Sequence, residues 1–202
     1  MLLPPKQIKL AFDLDNVCVN TTECMINYIN QRLPVNLKME DITTYSIEAA
    51  LPEQYRWIVE SGFRDKEMWK SIQFLDHCIE VLESLYYEGY DIYFATSSLP
   101  ENLRKKINHL SRNMHFFPEG YVQNKTININ EKYLLNVDIL TDDCLKHLID
   151  ERRTYYSIVM DYPWNRDSKT IELPCITRAN DWLGIYDRIH NITDLIREKQ
   201  DE

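Results

Sequence analysis

The sequence predicts an α/β fold in which a parallel β-sheet is flanked by helices. Short apolar runs at about 8–14, 90–95 and 137–141 have the length of buried strands. Helix signals separate these runs along the chain. Polar side chains follow each run at once, as expected where a strand ends. This alternation of strands and helices is typical of a parallel sheet with helical crossovers.

The interval between the first two strands is too long for one crossover. Thr96 stands 81 residues after Asp15, whereas a crossover needs about a dozen residues or more. We therefore expect a small helical cap over residues 19–77, inserted after the first strand. Residues 1–18 and 78–202 are expected to form a Rossmann-like core domain.

Local signals define the remaining elements. Gly89 is placed to end a helix, because glycine readily adopts the left-handed conformation of a helix C-cap. Ser98 and Glu101 fit a capping box, with Pro100 in the first turn of the helix that follows. In chain order we predict helix 21–33, helix 79–88, strand 90–95, strand 137–141, helix 143–151, strand 156–161, a loop through 174 and a final helix over 181–199.

Asp13 and Asp15 lie at the end of the first predicted strand. Residues two apart on a strand share a face, so the two carboxylates are expected side by side. Such a pair repels unless a cation or a shared proton compensates it. The pair predicts Mg²⁺, a nucleophile with an acid/base partner, or both. A solvated acidic turn is the alternative for the pair taken alone.

Three further polar groups follow in order: Thr96 with Ser97, the isolated Lys125, and Asp142 with Asp143. Taken singly, Lys125 has the features of a surface lysine, and Asp143 those of a helix cap. The ordered set is much rarer than any of its members. Because parallel strands end at one edge of the sheet, we expect the four groups in one crevice.

This ordered set resembles the four signatures of the haloacid dehalogenase-like phosphohydrolases. Within that superfamily the chain is most similar to the 5′(3′)-deoxyribonucleotidase family. The runs that carry the closer resemblance are Phe94–Leu99, Asn124–Thr126, Ile139–Asp143 and Pro163–Arg166. The chain departs from the family pattern at Asn16, where relatives usually carry glycine. Asparagine tolerates positive φ, so we expect the turn to survive.

The resemblance implies a Mg²⁺-dependent phosphomonoesterase. Asp13 would be the nucleophile that forms an aspartyl phosphate, and Asp15 the general acid and base. Thr96, Ser97 and Lys125 would bind the phosphate. Mg²⁺ would be held by Asp13, the backbone carbonyl of Asp15 and one or both of Asp142 and Asp143.

The cap is expected to select the substrate, a nucleoside monophosphate and in particular a deoxyribonucleotide. Phe63 in Gly62-Phe63 is our first candidate for stacking on the base, and Trp69 is the second. Arg64 stands where relatives carry a second aromatic residue. Packing of the cap is the alternative role for either ring.

Composition narrows the function classes. A net charge of −9 argues against binding a long nucleic-acid polymer. We expect no membrane span, and the five cysteines, without Cys-x-x-Cys spacing, favour reduced thiols in a cytoplasm. A homodimer is left open.

The four signatures are also compatible with other functions. They include a phosphatase of another small phosphorylated metabolite and a nucleotide-binding protein without turnover. A phosphoryl-accepting receiver domain is disfavoured, because its acidic pair comes early in the chain.

Overall fold

The computed structural model describes residues 7–166 and 176–201. Within them, six strands form one sheet in which every neighbouring pair is parallel. The strands are β1 Lys9–Phe12, β2 Asp91–Thr96, β3 Thr126–Asn128, β4 Ile139–Asp142, β5 Tyr156–Met160 and β6 Ile176–Ala179. Their spatial order is β3-β2-β1-β4-β5-β6. The predicted α/β class with a parallel sheet is therefore confirmed.

Helices cover the connections between these strands. They are α1 Thr21–Asn30, α2 Trp57–Arg64, α3 Lys66–Lys70, α4 Cys78–Tyr87, α5 Pro100–Asn113, α6 Tyr121–Lys125, α7 Leu145–Leu148 and α8 Trp182–Asp201. Short 3₁₀ turns lie at Met39–Asp41, Ile47–Ala50, Glu53–Tyr55, Lys132–Leu134 and Pro163–Asn165. In this described part of the chain, no helix combines the length and the apolar character that crossing a bilayer demands.

Local patterns located most elements but missed the short ones. Strands β3 and β6 were not predicted, because each is a brief edge strand of mixed composition. The predicted helix over 143–151 is wrong in extent, since α7 spans only Leu145–Leu148. Of the predicted loop through 174, residues 167–175 lie outside the described residues.

The central strands are buried on both faces of the sheet. Leu10 and Phe12 point into the larger apolar core, whereas Ala11 between them joins a smaller core on the other side. The Phe12 ring packs against Trp182 of α8, with ring centroids 5.1 Å apart. Burial on both faces fixes the register of β1 and so fixes where the strand ends.

We call residues 19–77 the cap segment. Its first and last residues lie side by side where the chain leaves the core and returns to it. The backbone N–H of Leu75 donates to the carbonyl of Cys18 at 2.9 Å, and Val19 bridges Phe74. Inside the cap segment, Gly62 lets α2 approach α1 closely. A Cβ at Gly62 would lie 2.6 Å from the sulfur of Met25. The cap segment as a separate domain stays a prediction.

Candidate active site

Three strand ends meet at one edge of the sheet. β1 lies between β2 and β4, so Asp13, Thr96 and Asp142 come together at their carboxyl ends. The backbone N–H of Asp13 donates to the carbonyl of Thr141 at 2.9 Å and ties two of these ends together. The site therefore lies at the edge where open α/β sheets place their ligands.

Asp13, Asp142 and Asp143 form a buried carboxylate cluster. Each offers an oxygen, and these oxygens lie within 4.8 Å of one another. Burial raises the pKa of Asp13 to about 7, and the charges of Asp142 and Asp15 add to the rise, against the opposing effect of Lys132. Burial, followed by the charges of Asp142 and Asp13, also raises the pKa of Asp143 well above its ordinary value. A group of acids this buried needs protons or a cation.

Asp143 carries the clearest sign of an unmet cation requirement. Its Oδ2 accepts a hydrogen bond from Asn16 Nδ2 at 3.0 Å, but its Oδ1 is buried without a partner among the described residues. Buried polar atoms are normally satisfied, so the free oxygen fits a metal ligand. Three carboxylates at this spacing are a donor set that Mg²⁺ accepts.

Asn16 supports this cluster from the loop after β1. Its φ is 58°, the left-handed region in which asparagine is tolerated, as the sequence predicted. Its Oδ1 accepts from the backbone N–H of Thr22 at 2.9 Å, while Nδ2 binds Asp143. A glycine at this position could not make either side-chain contact.

Lys132 is the lysine that contacts the carboxylate cluster, and the prediction of Lys125 for this place is wrong. Lys132 Nζ donates to Asp13 Oδ1 at 2.5 Å and to Asp142 Oδ2 at 2.6 Å, and its side chain is 2% exposed. Burial by itself would lower the pKa of Lys132, but the charges of Asp13 and Asp142 outweigh it and raise the pKa above its ordinary value. Lys132 is therefore a permanent cation at the carboxylate cluster.

Lys125 lies at the other end of the sheet. Its ammonium pairs with Asp91, the first residue of β2, and lies 4.1 Å from the centroid of the Tyr93 ring. Thr96 is the last residue of the same strand. The position of β3, which was not predicted, distinguishes the two lysines. Lys132 follows that strand by four positions, whereas Lys125 precedes it.

Asp15 lies at the mouth of the site, with a second unpredicted lysine beside it. Thr21 Oγ1 donates to Asp15 Oδ1 at 2.6 Å, and the ammonium of Lys106 pairs with Oδ2. Lys106 is 5% exposed and also donates to Ser98 Oγ at 2.5 Å and to Thr96 Oγ1 at 3.3 Å. Lys106 comes from the middle of α5, where no local pattern marks it.

The hydroxyl residues after β2 form the wall next to Asp15. Thr96 is fully buried and its Oγ1 lies 3.1 Å from Ser98 Oγ. Ser97 Oγ bonds Asn130, from the segment that leads to Lys132. The interpretation of Ser98 as the helix cap is wrong, because Leu99 is the N-cap of α5 and Ser98 turns toward Lys106.

Asn165 holds the backbone of Asp143 in place. It is 1% exposed, and its Nδ2 donates to the carbonyls of Asp143 at 2.9 Å and Met160 at 2.7 Å. Arg178 Nη1 in turn donates to Asn165 Oδ1 at 2.6 Å. Asn165 is therefore part of a buried hydrogen-bond network and not of a solvated turn.

The cap segment covers a cavity of about 430 Å³ over Asp15 and Asp143. Both aromatic candidates, Phe63 and Trp69, line it. Trp69 Nε1 donates to the carbonyl of Phe63 at 2.8 Å, which holds the two rings in fixed relation. The other aromatic residues in the wall are Tyr45 and Trp164.

The chain is similar to one family model and to named proteins of two Staphylococcus species. The family model described as 5′ nucleotidase, deoxy (pyrimidine), cytosolic type C protein matches residues 6–197. A Staphylococcus epidermidis protein named "Putative 5′(3′)-deoxyribonucleotidase" is 27% identical over 142 residues, covering 69% of this chain and 76% of its own. A Staphylococcus aureus protein of the same name is 28% identical over 136 residues, covering 66% and 72%.

Solved structures agree on the fold. A haloacid dehalogenase-like family hydrolase from Streptococcus pneumoniae has a TM-score of 0.62 at 15% identity, covering 91% of this chain and 98% of its own. A HAD family hydrolase from Deinococcus radiodurans, solved with bound phosphate and sodium, has a TM-score of 0.63 at 12% identity, covering 93% and 96%. At these identities the likeness concerns the fold alone.

Proposed function

The chain belongs to the family described as 5′ nucleotidase, deoxy (pyrimidine), cytosolic type C protein, and is thus a phosphatase; on this premise we propose that it is a Mg²⁺-dependent deoxyribonucleotidase. It would release phosphate from deoxyribonucleoside monophosphates through an aspartyl phosphate on Asp13. The observation that carries the proposal is the buried contact of Lys132 with Asp13 and Asp142, beside Thr96.

In the first half-reaction, a carboxylate oxygen of Asp13 attacks phosphorus, and the bond from phosphorus to the nucleoside oxygen breaks. Protonated Asp15 gives its proton to that leaving oxygen. The side chain of Asp15 is 26% exposed and reaches the cavity, while Asp13 is buried beneath it. This difference in depth supports separate roles for the two acids.

In the second half-reaction, the Asp15 carboxylate takes a proton from a water molecule, whose oxygen attacks phosphorus. The bond between phosphorus and Asp13 breaks, so inorganic phosphate leaves and Asp13 is a carboxylate again. Thr21 and Lys106 hold the Asp15 carboxylate at its two oxygens, which supports its role as a base.

The phosphoryl oxygens would be bound by Thr96, Ser97 and the two lysines. Lys132 compensates the charge of Asp13 and Asp142, and Lys106 lies among the hydroxyls of Thr96 and Ser98. Fixed donors and cations in a buried site stabilise the charge that develops during phosphoryl transfer.

Asp13, the backbone carbonyl of Asp15, Asp142 and Asp143 would hold Mg²⁺. The spacing of the carboxylates and the unpartnered Oδ1 of Asp143 fit that ion. When bound, Mg²⁺ supplies positive charge to the phosphate and to the nucleophile.

The cavity supports a nucleoside over a sugar phosphate. Phe63 and Trp69 present aromatic surface above the phosphate position, and stacking on a base contributes about 1–3 kcal/mol. A phosphorylated sugar would gain little from such walls.

A substrate panel tests the proposal. Phosphate release should be faster with deoxyribonucleoside monophosphates than with ribonucleotides or phosphorylated sugars, and should stop when EDTA removes divalent cations. Asp13→Asn should abolish release, and an Asp13→Asn variant with full turnover would exclude the covalent route. A sugar phosphate with the highest kcat/KM would favour another metabolite as substrate. No release from any compound would favour a binding protein.

A further inference from the structure

A groove rich in positive charge lies beside the catalytic cavity, between α3 and α5. Its volume is about 480 Å³, and none of the described residues that line it carries a carboxylate. Lys66 and Lys70 contribute to it from α3, and Lys105 and Arg112 from α5. We call it the basic groove. The whole chain has a net charge of −9, so a group of surface residues of average composition would be acidic. The groove is basic instead.

Most of these charges have no counter-charge. Lys70 pairs with Glu67 at 2.7 Å, but Lys66, Lys105 and Arg112 form no ion pair within residues 7–166 and 176–201. Cations that face one another across a groove repel, and a bound anion relieves that repulsion. The unpaired charges come from both walls, so an anion between them would contact α3 and α5 together.

The ring of His109 forms part of the wall of the same groove. Its ring stacks on Phe74, with centroids 4.8 Å apart, and its Nε2 is buried without a hydrogen-bond partner among the described residues. Burial, with the charge of Arg112, lowers the pKa of His109. His109 thus contributes an aromatic ring to the wall, and its lowered pKa favours the uncharged form.

The basic groove and the catalytic cavity share one lining residue among those described. Trp69 lines both. The neighbouring lysines of α5 divide between the two sides: Lys106 pairs with Asp15 in the cavity, and Lys105 Nζ lies in the groove, 5.3 Å from the centroid of the Trp69 ring. Cations therefore lie near Trp69 on both sides, Lys106 beside Asp15 in the cavity and Lys105 in the groove.

We propose that the basic groove binds a second phosphate of the substrate, so that the enzyme prefers a nucleotide carrying a further phosphodiester. A 5′-phosphorylated dinucleotide has this chemistry. The inference rests on the proposed function, because the phosphate at Asp13 fixes where the second one lies. The groove is local and the rest of the chain is acidic, so the ligand is short.

Competing substrates test the groove. The enzyme should hydrolyse the terminal phosphate of a 5′-phosphorylated thymidine dinucleotide with a kcat/KM at least about fivefold above that of thymidine 5′-monophosphate, since each exposed charge contributes a factor of about two to five. Raising the salt from about 50 to about 200 mM should reduce the preference. Arg112→Gln should lower the preference about two- to fivefold, and Lys66→Gln should lower it further. Arg104→Gln removes an exposed arginine from the same helix outside the groove and should leave the preference unchanged.

Binding separates this inference from the proposed function. Titration calorimetry of the Asp13→Asn protein should show weaker dinucleotide binding when Arg112→Gln is added, and no such loss with Arg104→Gln. If the dinucleotide has no advantage over the monophosphate, or if Arg104→Gln and Arg112→Gln behave alike, the inference is wrong while the nucleotidase proposal stands. If neither nucleotide is hydrolysed but the Arg112→Gln effect on binding remains, the proposed function fails and the groove site stands.

Discussion

Lys132 and Asp13 form a buried ion pair at the centre of the site, with Nζ 2.5 Å from Oδ1. The same ammonium reaches Asp142 at 2.6 Å, so one cation joins the ends of β1 and β4. Breaking a buried pair leaves an uncompensated charge, which costs about 3–5 kcal/mol. Removing either partner is therefore expected to disturb the local structure.

Replacing Lys132 should abolish most activity. We expect Lys132→Met to lower kcat/KM about 10²- to 10³-fold, because a fixed cation that faces the phosphoryl group is lost. Phosphate release from a deoxyribonucleoside monophosphate measures this. Lys125→Met is the matched control and should retain activity within about threefold, since Lys125 pairs with Asp91 at the opposite end of β2.

A folding defect in Lys132→Met must be separated from a catalytic one. Circular dichroism should show an intact α/β spectrum in both variants. If the Lys125→Met protein folds and loses activity while Lys132→Met does not, our assignment of the two lysines is reversed.

Asp143 should control metal affinity. Its unpartnered Oδ1 points to a direct ligand, so we expect Asp143→Asn to raise the Mg²⁺ concentration for half-maximal activity about 10- to 100-fold. Asp150→Asn removes a carboxylate that pairs with Arg152 on the surface and serves as the control. Equal Mg²⁺ dependence in both variants would rule out Asp143 as a ligand.

The metal-free protein should lose stability as the pH rises. Burial raises the pKa of Asp13 from 3.8 to about 7, so between these values the folded state holds a proton that the unfolded state has released. The stabilisation is complete below the lower value and is lost as pH passes the upper one, on the order of 4 kcal/mol in all. Thermal unfolding in EDTA should therefore show a Tm that falls from about pH 5 to about pH 8.

Mg²⁺ provides the check on that trend. Because metal binding needs deprotonated carboxylates, added Mg²⁺ should raise the Tm more at the higher pH than at the lower. Asp143→Asn should flatten the pH dependence of the metal-free protein, because burial raises the pKa of Asp143 as well. A Tm in EDTA that rises with pH would contradict this account.

Lys106 should act on the phosphate and not on the fold alone. Its ammonium lies among Asp15, Thr96 and Ser98, so we expect Lys106→Met to lower kcat/KM about 10²-fold and to weaken inhibition by inorganic phosphate. Lys106→Arg keeps the charge and should restore part of both. A methionine variant with a lowered Tm and normal phosphate inhibition would show a structural role only.

The strand ends explain how much of the site could be predicted. Asp13, Thr96 and Asp142 each follow an apolar run, and because parallel strands end at one edge, their convergence could be inferred from local pattern alone. Lys132 was not predicted as a site residue, because β3 is three residues long and mostly polar. No local pattern marked the strand end that precedes this lysine. Lys125 was chosen in its place as an isolated lysine in the right interval.

The amino-acid sequence by itself determined the fold class, through the periodicity of its apolar runs. It indicated the reaction type through the resemblance of its ordered motifs to a known superfamily. Tertiary structure alone decided which lysines reach the acids, that Asn165 orients Asp143, and that cations of α3 and α5 share a groove. Those relationships join segments far apart in the chain. Their distances depend on how helices and loops pack over the sheet, and no local pattern records that packing.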